Sequence, residues 1–70
     1  MLVKIEYDGA HNFDYDSTLE DLAGRARYSS DMDFTVMRRS ITFEFSLEQR
    51  QKMFIAAVQS HYPSFSITAG

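Results

Sequence analysis

The stretch Ile41-Thr42-Phe43-Glu44-Phe45-Ser46-Leu47-Glu48-Gln49, residues 41–49, contains the change of pattern that decides the fold. Its first five residues alternate apolar and polar side chains, which predicts a half-buried β-strand with Ile41, Phe43 and Phe45 facing inward. The next four residues, Ser46–Gln49, have the spacing of a capping box, the signature of a helix N-terminus. We therefore expect a strand that leads directly into a helix.

Downstream of this stretch, the apolar residues recur at helical spacing as far as Pro63. The inward stripe of the expected helix consists of Leu47, Phe54 and Val58, flanked by Ile55, Ala57 and Tyr62. Pro63 ends the helix, because proline restricts the residue before it to extended geometry. Phe65 and Ile67 then alternate with Ser and Thr residues, which predicts a short last strand.

Upstream of this stretch, Phe34 and Val36 predict another strand. These two residues have even numbers, whereas Ile41 and Phe43 have odd numbers, so one continuous strand would place the two pairs on opposite faces. A two-residue turn at Arg38-Arg39 explains the change, because it places Val36 opposite Ile41 and Phe34 opposite Phe43. Arginine does not favour the positive φ of such turns, so a bulge or a longer turn is the alternative.

The first third of the chain predicts a strand over residues 2–7, followed by a turn at Asp8-Gly9. Ser17–Glu20 form a second capping box, and the helix that it opens is expected to end near Tyr28. The pattern at residues 13–16 leaves two alternatives open, a short additional strand or a loop anchored by two rings.

The resulting order is β-α-β-β-α-β, in which two amphipathic helices cover one face of an antiparallel sheet. This is an α+β fold of the ferredoxin-like type, and the 70 residues are expected to form one domain, residues 1–70. The open sheet face is expected to display polar groups without a ring, namely Lys4, Glu6, Thr35, Thr42 and Glu44. Nucleic-acid binding through that face is therefore not expected.

Composition excludes several classes of function. The chain contains no cysteine, which rules out disulfides, thiolate catalysis and cysteine-ligated metals. No apolar run approaches the ~20 residues of a membrane span, and no signal peptide is visible. We expect a soluble, cytoplasmic protein that does not associate with membranes.

The sequence contains no phosphate-binding glycine loop and no nucleophile elbow, so we expect neither an enzyme nor a cofactor. His11 lies near Asp8, Asp14 and Asp16, where a metal site can be imagined. The interpretation that we favour is an exposed histidine among turn-forming aspartates, and no metal is predicted. His61 is explained by its place in the last turn of the second helix.

Charge is distributed unevenly along the chain. Residues 1–33 contain eight acidic and three basic residues, whereas residues 34–70 contain two acidic and four basic residues. Acidic groups interleaved with aromatic rings are typical of a surface that docks on a basic protein. The candidate partner-binding residues are Phe13, Asp14, Tyr15, Asp16, Glu20, Asp21, Tyr28, Asp31 and Asp33.

The leading hypothesis is a small protein-binding module, such as an acidic inhibitor or regulator of a partner with a basic surface. Phage and mobile-element proteins that block host machinery, including anti-CRISPR proteins, are typically of this kind. A homo-oligomeric structural or ligand-sensing domain, such as a homodimer, is one alternative. Nucleic-acid binding through a basic set at the expected hairpin tip and second helix is the other; this set is Arg38, Arg39, Arg50 and Lys52.

Overall fold

The structure, a computed structural model, describes all residues from 1 to 70 and confirms the predicted β-α-β-β-α-β order. The first half of the chain contains β1 (Leu2–Asp8), α1 (Phe13–Ala23) and β2 (Arg27–Asp33). The second half contains β3 (Arg38–Glu44), α2 (Glu48–His61) and β4 (Ser66–Ala69).

The four strands form one antiparallel sheet in the order β2-β3-β1-β4. β1 and β3 are central, and β2 and β4 are the edges. Two helices and this strand order give a small α+β fold consistent with the ferredoxin-like type.

The hydrophobic core lies between the two central strands and the two helices. Val3 and Phe43 are opposite each other in the register, as are Ile5 and Ile41, and all four side chains are buried. The other buried residues of this core are Leu19 in α1, Phe45 directly after β3, and Phe54 and Val58 in α2. The predicted alternation in β1 and β3 is therefore confirmed.

The opposite face of the sheet is polar, as the sequence predicts for four of its five named residues. Lys4 is paired with Thr42, and Glu6 with Ser40, on the side away from the core. Thr35 is the exception, because it lies in the turn between β2 and β3 and not in a strand.

α1 begins five residues earlier than the sequence predicts, so residues 13–16 form neither a strand nor a loop but the first helical turn. The capping residue is Asn12, whose side-chain oxygen accepts a hydrogen bond of 3.1 Å from the Tyr15 N–H. Asparagine is among the preferred N-cap residues. The capping box predicted at Ser17–Glu20 is wrong for this reason. The helix ends at Ala23, before Gly24 with its positive φ of 67°, and not near Tyr28.

The hairpin between β2 and β3 has the longer turn that the sequence offered as an alternative, and not the two-residue turn at Arg38-Arg39. β2 ends at Asp33, opposite Arg38, and the turn consists of residues 34–37. The Asp33 carboxylate accepts hydrogen bonds from the Thr35 and Val36 N–H groups and so begins the turn. The positive φ that the turn requires falls on Met37, at 53°, and not on either arginine. The predicted pairings of Val36 with Ile41 and of Phe34 with Phe43 are therefore wrong.

α2 follows β3 closely, and its inward residues Phe54 and Val58 are buried as predicted. Its N-cap is Leu47, which is exposed and not on the inward stripe as predicted. Leu47 makes no side-chain capping bond, so the predicted capping box at Ser46 is also wrong. Neither helix is long and apolar enough to cross a membrane.

Candidate functional site

A buried carboxylate, that of Asp16, holds together the start of α1 and the two central strands. Asp16 is 6% exposed. Its Oδ1 accepts a hydrogen bond of 2.7 Å from the Tyr7 hydroxyl, and its Oδ2 accepts one of 2.9 Å from Arg39 Nη2. His11 Nε2 lies 2.7 Å from the same Oδ2 atom. Both oxygens are thus fully engaged, which compensates the cost of burying this charge.

Tyr7 links this network to the loop that precedes α1. Its hydroxyl accepts a hydrogen bond of 3.1 Å from the Asn12 N–H while it donates to Asp16. Burial, opposed by the bond to Asn12 and reinforced by the neighbouring carboxylate, raises the pKa of Tyr7 above its ordinary value of 10.0. The network therefore favours the neutral phenol of Tyr7.

Two of the nine candidate partner-binding residues belong to the interior of the protein. Asp16 is buried in the network just described. The ring of Tyr15 packs edge-on against Tyr7, with 5.2 Å between ring centroids, and also against Tyr62 and Phe65. The sequence could not place these two residues, because residues 13–16 are predicted as a strand or loop and not as a helical turn with one buried side.

Five of the nine lie together along α1 and the start of β2, and we call this set the α1 acidic surface: Phe13, Asp14, Glu20, Asp21 and Tyr28. Asp14 and Asp21 are exposed, and none of the three carboxylates forms an ion pair. The Tyr28 hydroxyl donates to the Glu20 carboxylate, which ties β2 to α1. This hydrogen bond raises the pKa of Tyr28.

The remaining two candidates, Asp31 and Asp33, lie on the other side of the sheet. In the β2–β3 register they are opposite Ser40 and Arg38, which belong to the open face. Asp33 is also engaged in starting the turn. The structure therefore does not bring them together with the carboxylates of α1.

The four residues of the alternative nucleic-acid hypothesis are not on one surface, and Arg38 and Arg39 are not at the hairpin tip. Both arginines are in β3, where they point to opposite faces. Arg38 bonds to Glu6, Asp8 and Ser66 on the open face, whereas Arg39 is mostly buried beside Asp16. Lys52 pairs with Glu48 on α2 at 3.3 Å.

A cleft of about 650 Å³ lies at the other end of the molecule, between the loop after α1 and the start of α2. Its floor includes Ala26 and Phe45, and three arginines line it: Arg25, Arg27 and Arg50. None of the three forms an ion pair, and Glu44 is the one acidic residue in the lining. Sequence reasoning missed this cleft, because its arginines are separated in the chain.

No group of three or more His, Asp or Glu side chains converges in a geometry that could hold a metal ion. Of the residues considered above as metal ligands, His11 and Asp16 contact each other. The guanidinium of Arg39 lies against the same Asp16 oxygen, where a metal cation would have to bind. Comparison with protein-family models, with curated proteins and with solved structures found no match.

Proposed function

We propose that this protein is a protein-binding module that docks through the α1 acidic surface on a basic surface of its partner. An inhibitor or regulator that covers a nucleic-acid-binding surface is the specific form that we favour, since such surfaces are basic. The proposal rests on an exposed acidic surface that includes one charge, that of Asp21, whose position folding does not explain.

The observation that carries the proposal is the position of Glu20 and Asp21 in the last turn of α1. The C-terminal end of a helix carries partial negative charge, so acidic residues there destabilise it by a few tenths of a kcal/mol each. The last turn contains no basic residue, and neither carboxylate forms an ion pair. The hydrogen bond from Tyr28 gives Glu20 a role in the fold, but no side-chain contact accounts for the charge of Asp21, whereas binding to a cationic partner does.

Two aromatic rings flank these charges. Phe13, the first residue of α1, is 74% exposed, and Tyr28 is 52% exposed. Large aromatic side chains supply much of the binding energy when a partner covers them, and charge steers the encounter. The α1 acidic surface thus contains both components of a docking site.

The test compares two triple variants that remove the same number of negative charges. D14N/E20Q/D21N neutralises the α1 acidic surface, and D8N/E44Q/E48Q neutralises three exposed carboxylates elsewhere. Each protein is immobilised and exposed to the same cell lysate, and the retained proteins are identified and eluted with a salt gradient. We expect a stoichiometric basic partner to be retained by the wild type and by the second variant and lost with the first.

The affinity of the purified partner is then measured by calorimetry at several salt concentrations. The affinity of the wild type and of D8N/E44Q/E48Q should fall as the salt concentration rises, because salt screens the attraction between the charges. The affinity of D14N/E20Q/D21N should depend less on salt. Equal loss of binding in both variants would show an effect of net charge alone. That result, or unchanged binding of D14N/E20Q/D21N, would overturn the proposal.

A further inference from the structure

We propose that the free edge of β2 pairs with β2 of a second copy of this chain, antiparallel and with the two-fold axis at Ser30. This inference goes beyond the proposed function, because it concerns the sheet edge and not the carboxylates of α1. Three features of the structure support it: an unprotected edge, a self-complementary strand and an exposed apolar turn beside it.

The edge is long and unprotected. β2 has seven residues, pairs with β3 on one side only, and has six of its seven residues exposed. Proteins usually protect such an edge with lysine, proline or a very short strand, because its free N–H and C=O groups accept another strand. β2 contains neither lysine nor proline, and two of its three charged residues, Arg27 and Asp33, are of opposite sign and so can attract a second copy.

The sequence of the strand, Arg27-Tyr28-Ser29-Ser30-Asp31-Met32-Asp33, is complementary to itself when reversed. The one antiparallel register that pairs all seven residues places Ser30 opposite Ser30 of the second copy. Arg27 then lies opposite Asp33, and the two-fold axis makes this pair twice. Both side chains belong to the open face of the sheet, so they can meet across the strands.

The helix-facing side of β2 is complementary in the same register. Tyr28 and Met32 share that side, since they are opposite Phe43 and Arg39 in β3. Pairing places each Tyr28 ring beside Met32 of the other copy, a favourable sulfur–aromatic combination. Tyr28 is half exposed in the single chain, so pairing covers a ring that the fold leaves uncovered.

The turn after β2 gives a third, independent reason. Phe34 is 77% exposed and Val36 is 63% exposed, although turns are normally built from small polar residues. Because Asp33 lies opposite Arg27, the turn of one copy, which contains Phe34, comes near Ala26 of the second copy, just before its β2. Ala26 lines the cleft described above, so the exposed ring of one copy meets the cleft of the other.

The other edge of the sheet lacks these properties. β4 has four residues, Ser66-Ile67-Thr68-Ala69, and none of them is charged. A pairing of β4 with itself would therefore have no charge complementarity to set its register. β4 serves as the internal control for the experiment.

The first experiment exchanges the charges of the Arg27–Asp33 pair. R27E places two acidic residues opposite each other twice, and D33R does the same with two arginines, so each variant should be mainly monomeric. An equimolar mixture restores both attractive pairs. We expect sedimentation equilibrium to show a wild-type dimer, a dissociation constant raised about tenfold or more in each variant, and a 1:1 heterodimer in the mixture.

The charge variants need a folding control, because Asp33 also starts the turn. Circular dichroism of each variant must match the wild type, and F34A offers a change that leaves Asp33 intact. F34A should weaken the dimer without lowering the melting temperature of a dilute, monomeric sample. D14N/D21N, which keeps the hydrogen bond between Tyr28 and Glu20, should leave the dimer unchanged, and this separates the proposal from the proposed function.

The second experiment fixes the register by crosslinking. The chain has no cysteine, so S30C introduces a single thiol. Directly opposed residues in antiparallel strands have Cβ atoms about 4.5–5.5 Å apart, and a shift of about 1 Å brings them within the separation of about 3.5–4.5 Å that a disulfide needs. Oxidation should crosslink S30C rapidly, whereas T68C on β4 should remain monomeric.

Each outcome decides the proposal. A wild type that stays monomeric at millimolar concentration, with S30C crosslinking no faster than T68C, would overturn it. So would a dimer that survives R27E, or a mixture of R27E and D33R that forms no heterodimer.

Discussion

Strands β1 and β3 and the region formed by β2 and the last turn of α1 contain charged residues in similar numbers but arrange them differently. In the first region Arg38 pairs with Glu6 and Asp8, and Arg39 pairs with the buried Asp16. In the second region no charged side chain has an ion-pair partner. The paired charges of the first region stabilise the fold, whereas in the second region Asp21 and Arg27 remain available for contacts with other molecules.

The largest difference is expected in the free energy of unfolding when one aromatic ring is truncated in the first region and one directly beside the second. Phe43 is fully buried in β3, with its ring 4.9 Å from that of Phe54, whereas Phe34 is exposed in the turn after β2. F43A should lower the free energy of unfolding by about 3–5 kcal/mol through the cavity that it leaves.

F34A should change the free energy of unfolding of the monomer by less than about 0.5 kcal/mol. Urea denaturation at low protein concentration measures both values. If F43A proves unfolded at 25 °C, F43L provides the milder truncation. Similar losses for F43A and F34A would contradict the division into two regions.

The next largest effect should come from the buried carboxylate. D16N removes the negative charge beside Arg39 and leaves a mostly buried guanidinium without its ion-pair partner, which should cost about 3 kcal/mol. D14N, two residues earlier on the exposed side of the same helical turn, should cost about 0.5 kcal/mol through the helix dipole. Denaturant titration of both variants at pH 7 tests this, and equal losses would mean that Asp16 does not act as a buried ion-pair partner.

Alkaline pH should affect the network through Tyr7. Its pKa is raised in the folded state by burial, so the folded protein keeps a proton that the unfolded chain loses above pH 10. The stabilisation from the neutral phenol is therefore fully present below pH 10 and is lost as the pH rises through the folded-state pKa.

Thermal melting between pH 8 and pH 11.5 should show this decline in the wild type and a shallower one in Y7F. Y7F should also be less stable at pH 7 by about 1 kcal/mol, because the hydrogen bond to Asp16 is lost. An equally steep alkaline decline in Y7F would assign the effect to another group.

The smallest predicted effect is a gain. D21K replaces an acidic residue by a basic one in the last turn of α1 and should stabilise the protein by about 0.5 kcal/mol. The matched variant D14K, in the first turn of the same helix, should destabilise it by a similar amount. Melting temperatures at low salt measure the pair, and a loss of stability in D21K would remove the main argument for a binding role of the α1 acidic surface.

Local patterns predicted the order of the elements and most of the core. The alternation in β1 and β3 depends on neighbouring residues alone, and it places Val3, Ile5, Ile41 and Phe43 correctly. The hairpin was mispredicted because Phe34 and Val36 imitate an inward strand. The hydrogen bonds from the Thr35 and Val36 N–H groups to Asp33 place Phe34 and Val36 in the turn. The alternation of apolar residues gives no sign of these bonds.

The candidate site was less predictable, because it depends on contacts between distant residues. Asp16 is buried because Arg39, which is far away in the chain, lies opposite Tyr7 once β1 and β3 pair. Asp14 and Asp21 are exposed because the helix that starts after Asn12 turns both of them outward. The sequence pattern did not identify Asn12 as the N-cap, so it did not predict this helix start. The arginine-lined cleft joins three segments that no local pattern connects.

The position of β1 in the sheet has a consequence for how the chain is made. Within this domain β1 is synthesised before the other elements, but both of its neighbours, β3 and β4, come from the later part of the domain, and β4 is the last of the six elements. Val3 and Ile5 therefore stay uncovered until nearly all of the domain has been synthesised. Assembly of this sheet is expected to be a late, concerted event, and a nascent chain that stalls before β4 would present its central strand to chaperones and proteases.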